Sequence, residues 1–223
     1  FALCAGAEIN GRYGHANVYA RNFNLFLKWL KKHEYEMSLC WRRVNKYPLK
    51  EVCLAAQEFP KEVMIVPHHS NMDSGGADPQ GRPYWTAMHF PVNDGNSYKA
   101  MRLMEMNQTR GSFETEYYQE NWHMGKNTGK LGGSVRTALM KGHRIGFTGG
   151  TDNHTGMPAN GDVNPIGLTG VICDALTTVN IFDALYSRRC YATTGARIVG
   201  DFTLNGHNMG SEIKLKAFDK REL

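Results

Sequence analysis

Asp152 and His154 stand two positions apart in Gly146-Phe-Thr-Gly-Gly-Thr-Asp-Asn-His-Thr-Gly156, where an apolar segment runs into a glycine-rich turn. In an extended chain such a pair points to one side. A carboxylate oxygen and an imidazole nitrogen can then reach one shared cation, so the expectation is half of a metal site. Pro67-His68-His69 is a second signal, because it follows the β-rich run Val63-Met-Ile-Val66. His68 is expected there as a ligand. His69 is expected to turn elsewhere, to contact substrate, protonate a leaving group or orient a ligand. Glu8 and His15 form a third element. Gly11 and Gly14 lie between them, and a turn there could bring both to one rim, with the carboxylate able to bridge two cations. Glu105 and Glu114 flank Arg110 and read as ligands, a general acid or base, or structural partners of Arg110. His89, His123, His143 and His207 read as structural. Each signal is weak by itself, since a lone histidine is more often ordinary than a ligand. Taken together, the nitrogen and oxygen donors suit Zn²⁺, Mn²⁺ or Fe²⁺ better than Ca²⁺ or Mg²⁺.

The elements that must carry these groups alternate. Apolar, β-rich segments predict strands over 1–9, 15–20, 63–66, 100–106, 144–147, 168–173, 190–193 and 198–204. Helices are predicted over 23–33, capped by Asn22, over 49–59, opened by Pro48, over 133–141, stopped by Gly142, and from Thr177 or Thr178 to 188. The region 70–97 is rich in Gly, Pro, Asp and Asn and reads as a long functional loop; 161–165 also reads as loop. Alternation of this kind implies an α/β fold with a mainly parallel sheet. Glu8, His68, Glu105 and Asp152 then fall at or just past strand C-termini, the edge where such folds bind ligands.

Composition narrows the class. With 41% hydrophobic and 21% charged residues, the chain can build a core. No segment approaches the length of a membrane span. The net charge of +5 comes without a basic stripe, which argues against nucleic acid as the partner. Five cysteines without a Cys-x-x-Cys spacing predict neither a thiolate zinc site nor a disulfide framework. The apolar opening Phe1 to Ala7 and the alternating pattern begun at Glu212 read as edges of a piece from a longer chain.

At this point a resemblance becomes specific. The segment Gly142 to Gly156, the block Gly167-Leu-Thr-Gly-Val and the run Phe182 to Ile198 with its Tyr-Ala-Thr-Thr-Gly195 resemble the PHP (polymerase and histidinol phosphatase) superfamily. The closest branch is its carbaryl-hydrolase-like metallohydrolases, and the similarity runs from about Glu8 to Gly210. It implies a fragment of a distorted (β/α)7 barrel over 1–197, lacking its first strands, and the start of a C-terminal β-sandwich over 198–223. It also implies a centre of two or three metal ions per complete site, with Glu8, His15, His68, Asp152 and His154 as ligands. His69, Glu105 and Glu114 remain as candidate catalytic acids. The family's His-x-His motif does not occur in this sequence, so part of the centre is expected upstream of Phe1.

The function expected is metal-assisted hydrolysis of a small phosphoester or a carboxylic or carbamate ester. Two other readings stay open. One is a non-catalytic ligand- or partner-binding domain with an incomplete metal site; the other is a nuclease-like phosphodiesterase.

Overall fold

The computed structural model describes residues 2, 4–11, 13–33, 49–73, 79–81, 86–116, 131–154, 156 and 167–223. Pro48, His123, the 161–165 loop and parts of the 70–97 loop lie outside them. In chain order the elements are β1 (Ala5–Gly11), β2 (Gly14–Ala20), α1 (Phe23–His33), α2 (Leu49–Gln57), β3 (Val63–His68), β4 (Leu103–Gln108) and β5 (Gly111–Ser112). There follow α3 (Val135–Met140), β6 (Gly146–Gly149), β7 (Leu168–Val171), α4 (Thr178–Tyr186), β8 (Cys190–Thr193), β9 (Thr203–Leu204) and β10 (His207–Asn208).

The alternation on β2 explains the first layer. Ala16, Val18 and Ala20 are buried in one cluster with Ile9, Val63 and Ile65, packed against Phe26 and Trp29 of α1 and Val52, Cys53 and Ala56 of α2. Asn22 caps α1, its Oδ1 accepting from the Leu25 amide at 3.0 Å. Trp29 is fully buried, and truncating such a side chain to alanine costs about 3–5 kcal/mol. The other β2 residues, His15, Asn17 and Tyr19, face away from the helices. Register extends this face: Glu8 lies opposite Asn17, and His15 and Asn17 lie opposite His68 and Val66 of β3.

β4 continues the layer. The Ile65–Met101 bridge joins its approach to β3, and β4 runs parallel to β6 with Glu105 opposite Thr148. Met104 joins the helix-side cluster. Leu103, two residues before Glu105, joins Met64, Val66, Phe182 and Cys190 in a second cluster on the inner face. Glu105 therefore stands above an apolar floor. The pairing shifts register between Glu105 and Asn107, the kind of irregularity that re-aims side chains beside sites.

This architecture overturns the expected barrel. Among the described residues the sheets have two or three strands each, in the orders β1-β2-β3, β5-β4-β6, β7-β8 and β10-β9, with no closed barrel. The physical reason is the short Gly11–Gly14 connection. A tight turn joins antiparallel strands, whereas parallel neighbours need a long crossover. The expected strand over 198–204 shrinks to β9, paired only with β10, and 212–223 holds no strand. Val199 and Phe218 are 97% and 100% exposed, so among the described residues no second apolar layer covers them.

Candidate metal centre

Glu8 of β1, His15 of β2, His68 and His69 at the end of β3, Glu105 of β4 and Asp152 just past β6 converge on the inner face. A cavity of about 370 Å³ is lined there by Glu8, Asn17, Tyr19, His68, Glu105 and Asp152, together with Thr148, Gly149 and Gly150. Glu8, His68 and His69 each offer one ligand atom, and these atoms lie within 4.8 Å of one another. Two imidazoles and a carboxylate match the donor set expected for zinc, manganese or iron.

Local backbone explains the convergence. Adjacent residues of a strand point to opposite faces, so His69 would leave the site if β3 continued. Its φ of 31° places it in the left-handed region, which non-glycine residues rarely adopt. The kink brings the His68 and His69 rings to 4.2 Å between centroids, with His15 and His69 at 4.7 Å. Asp152 also has a positive φ, 46°, so the expected extended Asp-x-His geometry is absent. Asp152 reaches His68 Nε2, 3.6 Å from its Oδ2, while His154 is exposed. Strained non-glycine backbone of this kind gathers at functional sites. Two glycines admit the turn. A Cβ at Gly150 would lie 2.9 Å from Glu105 Oε1, and one at Gly167 would lie 2.4 Å from the Asn107 carbonyl oxygen.

The carboxylates divide by contact. His15 Nδ1 lies 2.7 Å from Glu8 Oε1. Glu105 Oε2 lies 2.9 Å from His68 Nδ1 and accepts from the His69 amide at 2.9 Å and from Gln108 Nε2 at 3.4 Å. Glu105 therefore sits against the His68 ring, as carboxylates behind metal-bound imidazoles do, and holds the backbone of His69. Glu114 does not join the site: its side chain is exposed, and its backbone bonds with Arg136 and Ser112. β1 runs to Gly11, so Glu8 lies within it rather than at its end.

Charge sets protonation. Burial pushes the Glu8 carboxyl up, but the His15 hydrogen bond and the His68, His15 and His154 charges outweigh it and hold Glu8 below the usual range. Burial alone would lower His68, yet the charge and contact of Glu105 and the Glu8 charge keep it above the ordinary imidazole value. Burial, reinforced by His68, His15 and Arg110, holds His69 well below that value. Its imidazole is neutral at pH 7, with a lone pair to give. Burial, with the Glu105, Cys4 and Glu8 charges, pushes the Tyr19 phenol up to about 12, so it stays protonated.

Sequence reasoning missed Asn17, Tyr19 and Gln108. The period-two pattern His15, Asn17, Tyr19 against Ala16, Val18, Ala20 could have found the first two. Gln108 carries no comparable signal.

No helix among the described residues is long and apolar enough to cross a membrane. No family model matches this chain, and no solved structure matches it. The chain is 35% identical over 119 residues to an uncharacterized protein of Chlamydia pneumoniae, covering 50% of this chain and 19% of that protein. It is 41% and 37% identical over 87 residues to uncharacterized proteins of Chlamydia trachomatis and Chlamydia muridarum, covering 36% of this chain and 14% of each relative. The chain thus spans less than a fifth of the length of these curated relatives.

Proposed function

We propose that this chain carries the catalytic surface of a metal-dependent hydrolase acting on a small phosphoester or a carboxylic or carbamate ester. The observation that carries the reading is the convergence of Glu8, His68 and His69 within 4.8 Å of one another. Asp152 lies beside His68, where it can serve a second cation. Zn²⁺, Mn²⁺ or Fe²⁺ held there would supply a bound water of lowered pKa and stabilise developing negative charge.

The protein's own groups do the rest. Neutral His69 presents a lone pair without first losing a proton, and Glu105 fixes the ring of His68. Glu8, held ionised, adds negative charge to balance the cation. Tyr19 keeps a phenol proton in the cavity wall for hydrogen bonding to substrate. Glu105 is fully engaged with His68, His69 and Gln108, so it acts as a positioning residue rather than as the acid for the leaving group. The similarity of 142–156 to PHP metallohydrolases supports the same chemistry, and the proposal takes from it no claim about a barrel.

Metal analysis of the purified protein, with hydrolysis of p-nitrophenyl phosphate and p-nitrophenyl acetate, tests this reading. Bound zinc, manganese or iron and metal-dependent turnover of one of the two esters are expected. Absence of bound metal, with no turnover of either ester after Mn²⁺ or Zn²⁺ addition, overturns it. Metal binding without turnover across a broad ester panel supports the non-catalytic reading instead.

A further inference from the structure

Arg110 occupies the turn between β4 and β5 and reaches back over the site. Its Nη1 pairs with Asp152 Oδ2 and donates to Gln108 Oε1 at 3.2 Å. Gln108 in turn donates from Nε2 to Asp152 Oδ2 at 3.1 Å. The Arg110 side chain is 34% exposed, whereas that of Asp152 is 10% exposed. The guanidinium therefore sits between solvent and a buried carboxylate that faces His68.

A guanidinium and a metal ion compete for the same carboxylate oxygens. When a cation takes Asp152, Arg110 loses its charge partner while remaining tethered by the turn beside it. Its planar fork of donors matches a carboxylate or phosphate better than any other small group. We infer that Arg110 is an exchangeable cation: it holds Asp152 in the metal-free site and turns to an oxyanion of the substrate once metal is bound. Metal and anionic ligand then bind cooperatively, and the substrates are those carrying a phosphate or carboxylate group. This inference rests on the metal reading above.

The experiment measures binding of Mn²⁺ alone, and of inorganic phosphate with and without Mn²⁺, to the full chain and to R110Q and R110K. A charge-assisted pair of this kind is worth about 1.5–3 kcal/mol, or roughly 10- to 100-fold in affinity. With Mn²⁺ present, phosphate affinity should fall by that factor in R110Q and by less in R110K, which keeps the charge but loses the fork. Mn²⁺ affinity measured without phosphate should rise several-fold in R110Q, because the internal competitor is gone. Equal phosphate affinity in all three proteins with Mn²⁺ bound overturns the exchange and leaves the metal reading standing. Failure of the unsubstituted chain to bind Mn²⁺, or Zn²⁺ in its place, overturns both.

Discussion

Strand β6 serves two cavities of opposite character. Its second half, Thr148 and Gly149, walls the polar cavity of about 370 Å³ that holds Glu8, His68, Glu105 and Asp152. Its first half, Gly146 and Phe147, walls a cavity of about 580 Å³ lined by Leu139, Ile145, Phe202, Leu204, Met209 and Ile213. In the first, ionisable groups face each other across a buried space, and strained backbone at His69 and Asp152 holds them there. In the second, the charged lining residues Arg144, Arg188 and Glu212 pair with one another. Arg188, 8% exposed, donates to the carbonyls of Arg144 and Gly210 and to Glu212 Oε1 at 2.8–3.1 Å, and Arg144 pairs with Glu212. Each carboxylate of the polar cavity meets a basic side chain, Glu8 with His15, Glu105 with His68 and Asp152 with Arg110, and under the proposed function that cavity is the one that takes a metal ion. The charged residues of the apolar one tie residues 210–212 to the body.

That contrast predicts which property each substitution changes. The largest effect is expected from His68→Ala, which removes a proposed ligand. Titration calorimetry with Mn²⁺ should show affinity lowered at least about 100-fold, more than the ~10–100-fold typical of groups behind the ligands. Glu105→Gln keeps the volume but removes the charge that orients His68, and should weaken Mn²⁺ within that ~10–100-fold range. A normal Mn²⁺ affinity in both variants would erase the distinction between the two cavities.

Substitution at the apolar cavity should do the reverse. Arg188→Met leaves the Arg144 and Gly210 carbonyls without their donor and should lower stability to urea by about 1–3 kcal/mol, with Mn²⁺ affinity unchanged. The smallest effect concerns pH. Hydrogen bonds and charge from Arg188 and Arg144 hold Glu212 below the usual carboxylate range. Its contribution is therefore fully present above the ordinary carboxylate value and is lost as pH falls from there through the lower folded value. Thermal unfolding across that acidic window should show a slightly steeper loss for the unsubstituted chain than for Glu212→Gln. Parallel profiles would remove Glu212 from the tie.

The sequence made the strands and helices of the inner region legible wherever one periodicity dominated. Asn22 and α1, the apolar run of β3 and the capped α4 follow from composition and caps, with Thr177 Oγ1 accepting from the Asn180 amide. Topology was not legible. The alternation of strands and helices suggested crossovers, whereas the glycines beside 12–13 close an antiparallel hairpin. The candidate site was legible as residue types. Its geometry was not, because the convergence depends on two left-handed residues, His69 and Asp152, that no pattern announces. Asp152 lacks the extended geometry that the Asp-x-His spacing suggests. Extended spacing also points His69 away from its neighbour's side, because it says nothing of a kink. His154 and Glu114 are exposed, a property that spacing along the chain does not encode.

The central claim is that Glu8, His68 and His69 hold one cation. Anomalous diffraction from crystals of the chain grown with Mn²⁺ or Zn²⁺, recorded at the metal edge, tests it directly. A peak is expected at about 2.0–2.2 Å from a carboxylate oxygen of Glu8 and a ring nitrogen of each histidine. A metal bound elsewhere, with these three side chains still in contact only with protein groups, would contradict it.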